Sequence, residues 1–150
     1  MEDAFESFLG LLNKHQVEFL VIGGFAVGYH GYPRYTGDID IWIDPTEETA
    51  ERMMKVVAEF GYGGEFVKED FLRPDSFMQI GFPPLKIDLL CSAKGITFRE
   101  CYVRKMAEQT LERGTNVNFI SLNDLIANKK AVGRPNDLND LENLPKPEDE

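Results

Sequence analysis

The chain has 150 residues and a formal net charge of −10, with 43% hydrophobic and 28% charged residues. That length suits one domain with a proper core. The acidic balance excludes a broad nucleic-acid-binding face, which needs clustered lysine and arginine, but leaves contact with a single nucleotide end open.

Cys91 and Cys101 are too few and too widely spaced for a zinc site and are expected as reduced, buried thiols. No signal peptide, transmembrane run or repeat is legible, so a soluble cytoplasmic protein without membrane association is expected. In chain order, residues 2–14 set Phe5, Phe8, Leu9 and Leu12 at helical spacing behind an acidic start, which predicts an amphipathic helix packed on a sheet. Residues 19–22 are a short apolar strand ended by Gly23-Gly24, and residues 25–30 have the length of one or two helical turns. Glycines at such a turn let backbone N–H groups approach an anion, and a helix starting there adds the positive end of its dipole, which suits phosphate.

A turn-rich link over residues 30–37 leads to Asp38-Ile39-Asp40-Ile41-Trp42-Ile43, a strict alternation. Asp38, Asp40 and Trp42 share one face of that strand and the three isoleucines the other. Carboxylates at i and i+2 repel each other unless a cation lies between them, and a hard divalent metal resolves the conflict. Taken alone, the pair also fits a half-exposed strand whose aspartates face water. Asp44-Pro45-Thr46-Glu47 then offers an N-cap, a proline at the first helical position and a reciprocal acid. The helix it predicts carries Ala50, Met53, Met54, Val57 and Phe60 as one stripe and stops at Gly61. Residues 61–76 read as a connection with one short edge strand around 65–68. Residues 77–82 alternate as a strand, Pro83-Pro84 separates them from an apolar strand at 85–90, and Asp88 interrupts that second strand. An unpaired charge there is costly to bury, so Asp88 needs a metal, a partner or solvent.

Residues 98–113 are charged with weak helical periodicity, and residues 116–120 form a candidate strand. Ser121 and Asp124 match a capping box ahead of Leu122, Leu125 and Ile126, and Gly133 closes that helix. Pro135 and Asn136 start another, with Leu138 and Leu141 inward, and the acidic tail at 145–150 is expected to fray. Residues 1–144 are thus expected as a single domain of the α/β (α+β) class. It should have a small mixed sheet of about four or five strands, helices packed mainly on one side, and the metal site at a strand edge. His15 reads as surface or turn; His30 either touches substrate or serves the fold.

The pattern apolar-Gly-Gly, a short gap, then Asp-apolar-Asp-apolar resembles the signature of the nucleotidyltransferase superfamily, with its DNA polymerase beta-like fold. In that family the two aspartates of the later strand are metal ligands and a third carboxylate comes from another strand, which the resemblance assigns to Asp38, Asp40 and Asp88. It implies a cradle for a nucleoside triphosphate at Gly23 and Gly24, with Arg34 and Thr36 from the following link, and Mg2+ or Mn2+ as cofactor, two ions in number. For Arg34 the residues leave three roles open: a phosphate contact, stacking on Tyr35 or the base, or a surface arginine. Residues 121–141 resemble the closing segment of AbiEii-like and related stand-alone nucleotidyltransferases. That likeness places a triphosphate contact at Lys129, with Lys130 its near neighbour, and matches Asp137 and Asp140 of the next helix. The alternatives are a solvated helical face for Lys129 and, for Asp137, a helix cap or a partner for Arg134.

Together these resemblances imply transfer of a nucleoside monophosphate to a hydroxyl acceptor with release of pyrophosphate. The acceptor class stays open among a protein, a tRNA end and a small molecule. Family members often continue into a helical acceptor domain, so a platform from this small domain or another chain is expected. The alternative is a catalytically silent module acting through a protein partner, as one half of a toxin–antitoxin pair. A metal-dependent phosphohydrolase would share the carboxylates but not the early glycine pair.

Overall fold

The computed structural model describes residues 3–82, 84–110 and 112–147. The expected helix start at residue 2, Pro83 of the diproline and the last three residues of the acidic tail lie outside these.

Helix α1 (Asp3–Lys14) buries Phe5, Phe8, Leu9 and Leu12, the stripe its spacing predicts. Strand β1 (Phe19–Ile22) is buried along its whole length and runs directly into α2 (Gly23–Tyr29), so the glycine pair forms the first turn of that helix. Strand β2 (Asp38–Ile43) returns antiparallel to β1, pairing Ile22 with Asp40 and Leu20 with Trp42.

Helix α3 (Glu47–Val57) is capped by Thr46, whose side chain accepts from the Thr49 amide at 3.2 Å. The cap therefore falls two residues after Asp44; Pro45 lies outside the helix, and Asp44 pairs instead with Arg99 at 3.1 Å. Beyond α3 the last turns widen to i→i+5 bonding over Ala58–Tyr62 and break at Gly61, whose φ is 96°. The strand expected around 65–68 is absent. Bend, coil and a 3-10 turn at Lys68–Phe71 occupy that stretch, and the turn is anchored by buried Phe71 and by an Asp70 side chain that accepts from the Val67 amide at 2.9 Å.

Strands β3 (Phe77–Phe82) and β4 (Leu85–Leu90) form the predicted antiparallel pair, Gln79 opposite Asp88. The charged stretch at 98–113 is not one helix. A short α4 (Phe98–Val103) gives way to strand β5 (Met106–Gln109), exposed at every position and paired with β6 (Asn116–Phe119). Pairing with a neighbour, not an apolar stripe, makes β5 a strand, which is why its sequence carries no periodic signal.

Helix α5 (Leu122–Val132) begins at Ser121, whose hydroxyl accepts from the Asp124 amide at 3.2 Å. It ends at Gly133 in the left-handed region, as its sequence predicts. Helix α6 (Pro135–Asn143) places Leu138 outward at 52% exposure, against expectation, and turns Asp137 and Asp140 inward. That inversion has a cause in charge: two cations, Lys129 and Arg34, meet Asp137 and Asp140 on the inner side of the helix.

The sheet order is β3-β4-β2-β1-β6-β5, six strands among the described residues where about four or five were expected. β2 with β4, and β1 with β6, are parallel; the other neighbours are antiparallel. Both carboxylate-bearing strands are interior, so the candidate metal ligands lie on the sheet's face near its centre, not at an edge. Ile39, Ile41 and Ile43 join the core with the apolar faces of α1 and α3. On the carboxylate-bearing side Trp42 meets Phe98 of α4 edge to face at 5.2 Å. Cys91 and Cys101 are free and buried, and burial pushes their thiols up to about 11 and about 12. No helix among the described residues is long and apolar enough to cross a membrane.

Candidate active site

Parallel register between β2 and β4 sets Asp38 opposite Lys86 and Asp40 opposite Asp88. Because side chains alternate across a strand, these four occupy one patch of one sheet face. Two of the three carboxylates flank one ammonium: Lys86 Nζ lies 3.4 Å from Asp38 Oδ2 and 3.9 Å from Asp88 Oδ1. Asp88 is 6% exposed, and its Oδ1 is buried without a hydrogen-bond partner. The bottom of the patch is therefore short of positive charge.

Burial, then the charge of Asp88, a hydrogen bond shared with Asp88, and the charge of Asp38 raise the Asp40 carboxyl to about 7, with Lys129 opposing. Asp88 is also raised, by burial first, with Lys86 and Gln79 pulling the other way. Two facing carboxyls sharing a proton behave as one coupled unit.

The glycine turn closes on this patch from β1. Gly23 has φ 68°, and a β-carbon there would stand 2.0 Å from Asp40 Oδ2. Gly24 is less tightly constrained, and its β-carbon would stand 2.9 Å from the Thr36 side chain. Thr36 in turn donates through Oγ1 to the Asp38 carbonyl at 3.0 Å, fixing the entry into β2. Gly23 thus packs against the Asp40 carboxylate, while Gly24 and Thr36 pack against each other at the entry to β2.

Arg34, Lys129 and Asp137 belong to a second, buried constellation. Lys129 is 6% exposed, which rules out a solvated face, and its Nζ lies 3.0 Å from both Asp137 Oδ1 and Asp140 Oδ2. Arg34 grips Asp140 with two bonds of 2.8 and 2.9 Å, while Tyr35 stands 82% exposed, away from any stack. Asp137 both caps α6, accepting from the Arg134 amide at 3.2 Å, and pairs with Arg134 Nε at 2.9 Å. The two alternatives for Asp137 hold together. Lys130 is exposed. The electrostatic influence of Lys129 on Asp40, and of Asp40 on Arg134, sets this cluster beside the carboxylate patch.

His30 Nε2 bonds the Ile120 carbonyl at 2.7 Å, tying α2 to the end of β6, and His15 pairs with Glu59 at 2.7 Å. Both histidines serve the fold. Lys86 is the residue sequence reasoning passed over, and Arg134 entered only as a candidate partner of Asp137. For Lys86 the signal was present, since it alternates onto the same face of its strand as Asp88, but its partner Asp38 emerges only with the strand pairing.

The donor set fits a hard divalent cation: all-oxygen, anionic, with one buried oxygen unpartnered. Among the described residues no three His, Cys, Asp or Glu side chains are grouped closely enough to hold a metal ion by themselves. Magnesium is commonly held by one or two carboxylates, with substrate oxygens and waters completing its shell.

Beside the turn opens a groove of about 1180 Å³, lined by Gly24, Gly28, Tyr29, Arg34, Thr36 and Leu85 among others; the three carboxylates are not among its lining residues.

Over residues 1–150 the chain matches the model of a family described as "Nucleotidyl transferase of unknown function (DUF2204)". The chain belongs to that family. The match covers every element described above, including the glycine turn, the carboxylate strands and the closing helices. No curated protein matches the chain. Family membership agrees with the mixed sheet and helices of the fold, and it makes a nucleotide the expected substrate class of the site.

Proposed function

We propose that this chain is a metal-dependent nucleotidyltransferase, moving a nucleoside monophosphate from a nucleoside triphosphate to a hydroxyl acceptor with release of pyrophosphate. The observation that carries this reading is the opposition of Asp40 and Asp88 across β2 and β4, with a buried carboxylate oxygen left unpartnered and a side-chain-free turn against it.

Mg2+ or Mn2+ held by Asp40 and Asp88, with Asp38 beside them, would polarise the α-phosphate and offset the charge that builds during displacement. Gly23 and Gly24 carry no side chain where the turn closes on Asp40 and Thr36, and the glycine pair opens the helix whose N-terminus would face the phosphates. The acceptor hydroxyl oxygen attacks the α-phosphorus, the bond from that phosphorus to its bridging oxygen breaks, and pyrophosphate leaves with the electron pair. The hydroxyl proton passes to the Asp88 carboxylate, whose buried Oδ1 has no hydrogen-bond partner in the fold. Lys129, Arg34 and Arg134 supply fixed positive charge beside the patch. Asp137 and Asp140 serve by holding those cations in place, so Asp137 acts as a positioning residue for nucleotide binding.

The likeness of the closing segment to AbiEii-like proteins supports placing this activity in a cytoplasmic toxin–antitoxin pair, with a cognate protein as partner. A second reading, a catalytically silent module acting through such a partner, is favoured by one observation: the Lys129 and Arg34 cations are already engaged by carboxylates.

The two readings part on thermal stabilisation by each of the four nucleoside triphosphates, with and without Mg2+, in the native chain and in Asp40→Asn. Ligand bound only by the folded state raises stability. A Mg2+-dependent shift with one triphosphate, lost in the variant, is expected; no shift with any of them moves the conclusion to the silent module.

A further inference from the structure

The carboxylate patch already holds a cation of its own. Lys86 belongs to the same face as Asp38, Asp40 and Asp88, is only 20% exposed at its side chain, and approaches Asp38 more closely than Asp88, at 3.4 Å against 3.9 Å. Register makes this placement structural: Asp38 and Lys86 are direct cross-strand neighbours, as Asp40 and Asp88 are one pair further along. Of the four positions, one cross-strand pair joins opposite charges and the other joins two acids.

The two pairs therefore differ in what they lack. Asp38 has a counter-ion within the fold. Among the described residues no cation pairs with Asp40, and Asp88 has only the same ammonium at 3.9 Å, beyond hydrogen-bond reach of its buried, unpartnered Oδ1. A divalent ion seated on Asp40 and Asp88 would, together with the lysine, balance three ionised carboxylates. A second divalent ion on the protein's carboxylates would have to displace the ammonium from Asp38 or sit within a few ångströms of it, against the repulsion between like charges at that distance.

We propose that Lys86 takes the place of a second metal ion, so that the protein's own carboxylates hold one divalent cation, on Asp40 and Asp88, and not two. This rests on the metal-dependent reading above and narrows it. Lys86 is then a positioning residue: it neutralises Asp38, keeps that carboxylate from competing for the ion, and limits the stoichiometry of the site.

The test is a count. Mn2+ is titrated into the full chain at neutral pH and the free ion is followed by electron paramagnetic resonance, for the native protein, Lys86→Met and Lys86→Arg, each first shown by circular dichroism and thermal unfolding to be folded. One ion per chain is expected for the native protein and for Lys86→Arg, which keeps the charge, and two for Lys86→Met. Two ions on the native chain, or one on Lys86→Met, overturn the proposal. If Lys86→Met does not fold, Lys86→Gln, which retains a polar group without the charge, is counted in its place against the same two outcomes. No ion bound by any folded form overturns the metal-dependent reading itself, and the inference falls with it.

Discussion

Gly23 and Asp40 are packed so closely that a β-carbon on the glycine would stand 2.0 Å from the aspartate's Oδ2. The residue also holds φ 68°, a conformation that costs other L-residues roughly 1–2 kcal/mol. Backbone strain and steric overlap therefore act at one position, directly against the candidate metal ligand.

Gly23→Ala is accordingly expected to lower stability by about 2 kcal/mol or more, since the side chain it strikes is held in an ordered strand. Its effect on divalent-ion binding should exceed its effect on folding, because the displaced atom is the Asp40 carboxylate. Chemical denaturation and Mn2+ titration on the same variant separate the two. A variant that binds Mn2+ with native affinity would refute the assignment of Asp40 as a ligand.

The coupled carboxyls make a prediction about pH in the metal-free chain. Asp40 is raised in the folded state to about 7, from an ordinary value near 4. A raised carboxyl binds more protons folded than unfolded, so its contribution is fully present below pH ~4 and is lost as pH rises through ~7. Asp40→Asn should be more stable than the native chain at pH 8, by on the order of 1–3 kcal/mol, with the advantage shrinking steadily towards pH 4. Thermal unfolding of both chains in a chelating buffer across that range checks it. Equal stability at pH 8 would show that the pair carries no net repulsion there.

Asp140 joins Arg34 to Lys129 beneath α6 and is 1% exposed. Removing one member of a buried charge network leaves the others uncompensated, at a cost of about 3–5 kcal/mol. Asp140→Ala should lose stability in that range, and amide exchange in residues 33–36 should quicken, because the two Arg34 bonds to Asp140 tie that link to α6, beside a longer bond from Asn139 to Tyr32. Pairing depresses Asp137 and Asp140 below the ordinary carboxylate range. Their contribution is present above pH ~4 and disappears as pH falls through their lower folded values, so the native chain should lose more stability on acidification below pH 4 than Asp140→Ala does. Retained native exchange rates at 33–36 would assign the link's order to Thr36 and the glycine turn instead.

Local sequence determined much of this protein. Helix α1, strands β1 to β4, the Ser121 cap, the Gly133 stop and the proline start of α6 follow from apolar spacing and terminus chemistry, interactions reaching no more than four or five residues. The alternation at 38–43 likewise fixed that Asp38 and Asp40 share a face, and the glycine pair ahead of them marked where a turn must be bare. Tertiary structure decided the rest, because it depends on pairings between distant segments. Strand β5 exists through its partner β6 and has no apolar face of its own. Leu138 faces out and Asp140 faces in because Lys129 of the preceding helix and Arg34, far away in sequence, present charge to α6 that outweighs burying one leucine. Parallel register between β2 and β4, invisible in either strand alone, sets Lys86 against Asp38 and leaves Asp88 with a bare oxygen opposite Asp40, and so decides where the fold supplies its own cation and where one is wanting.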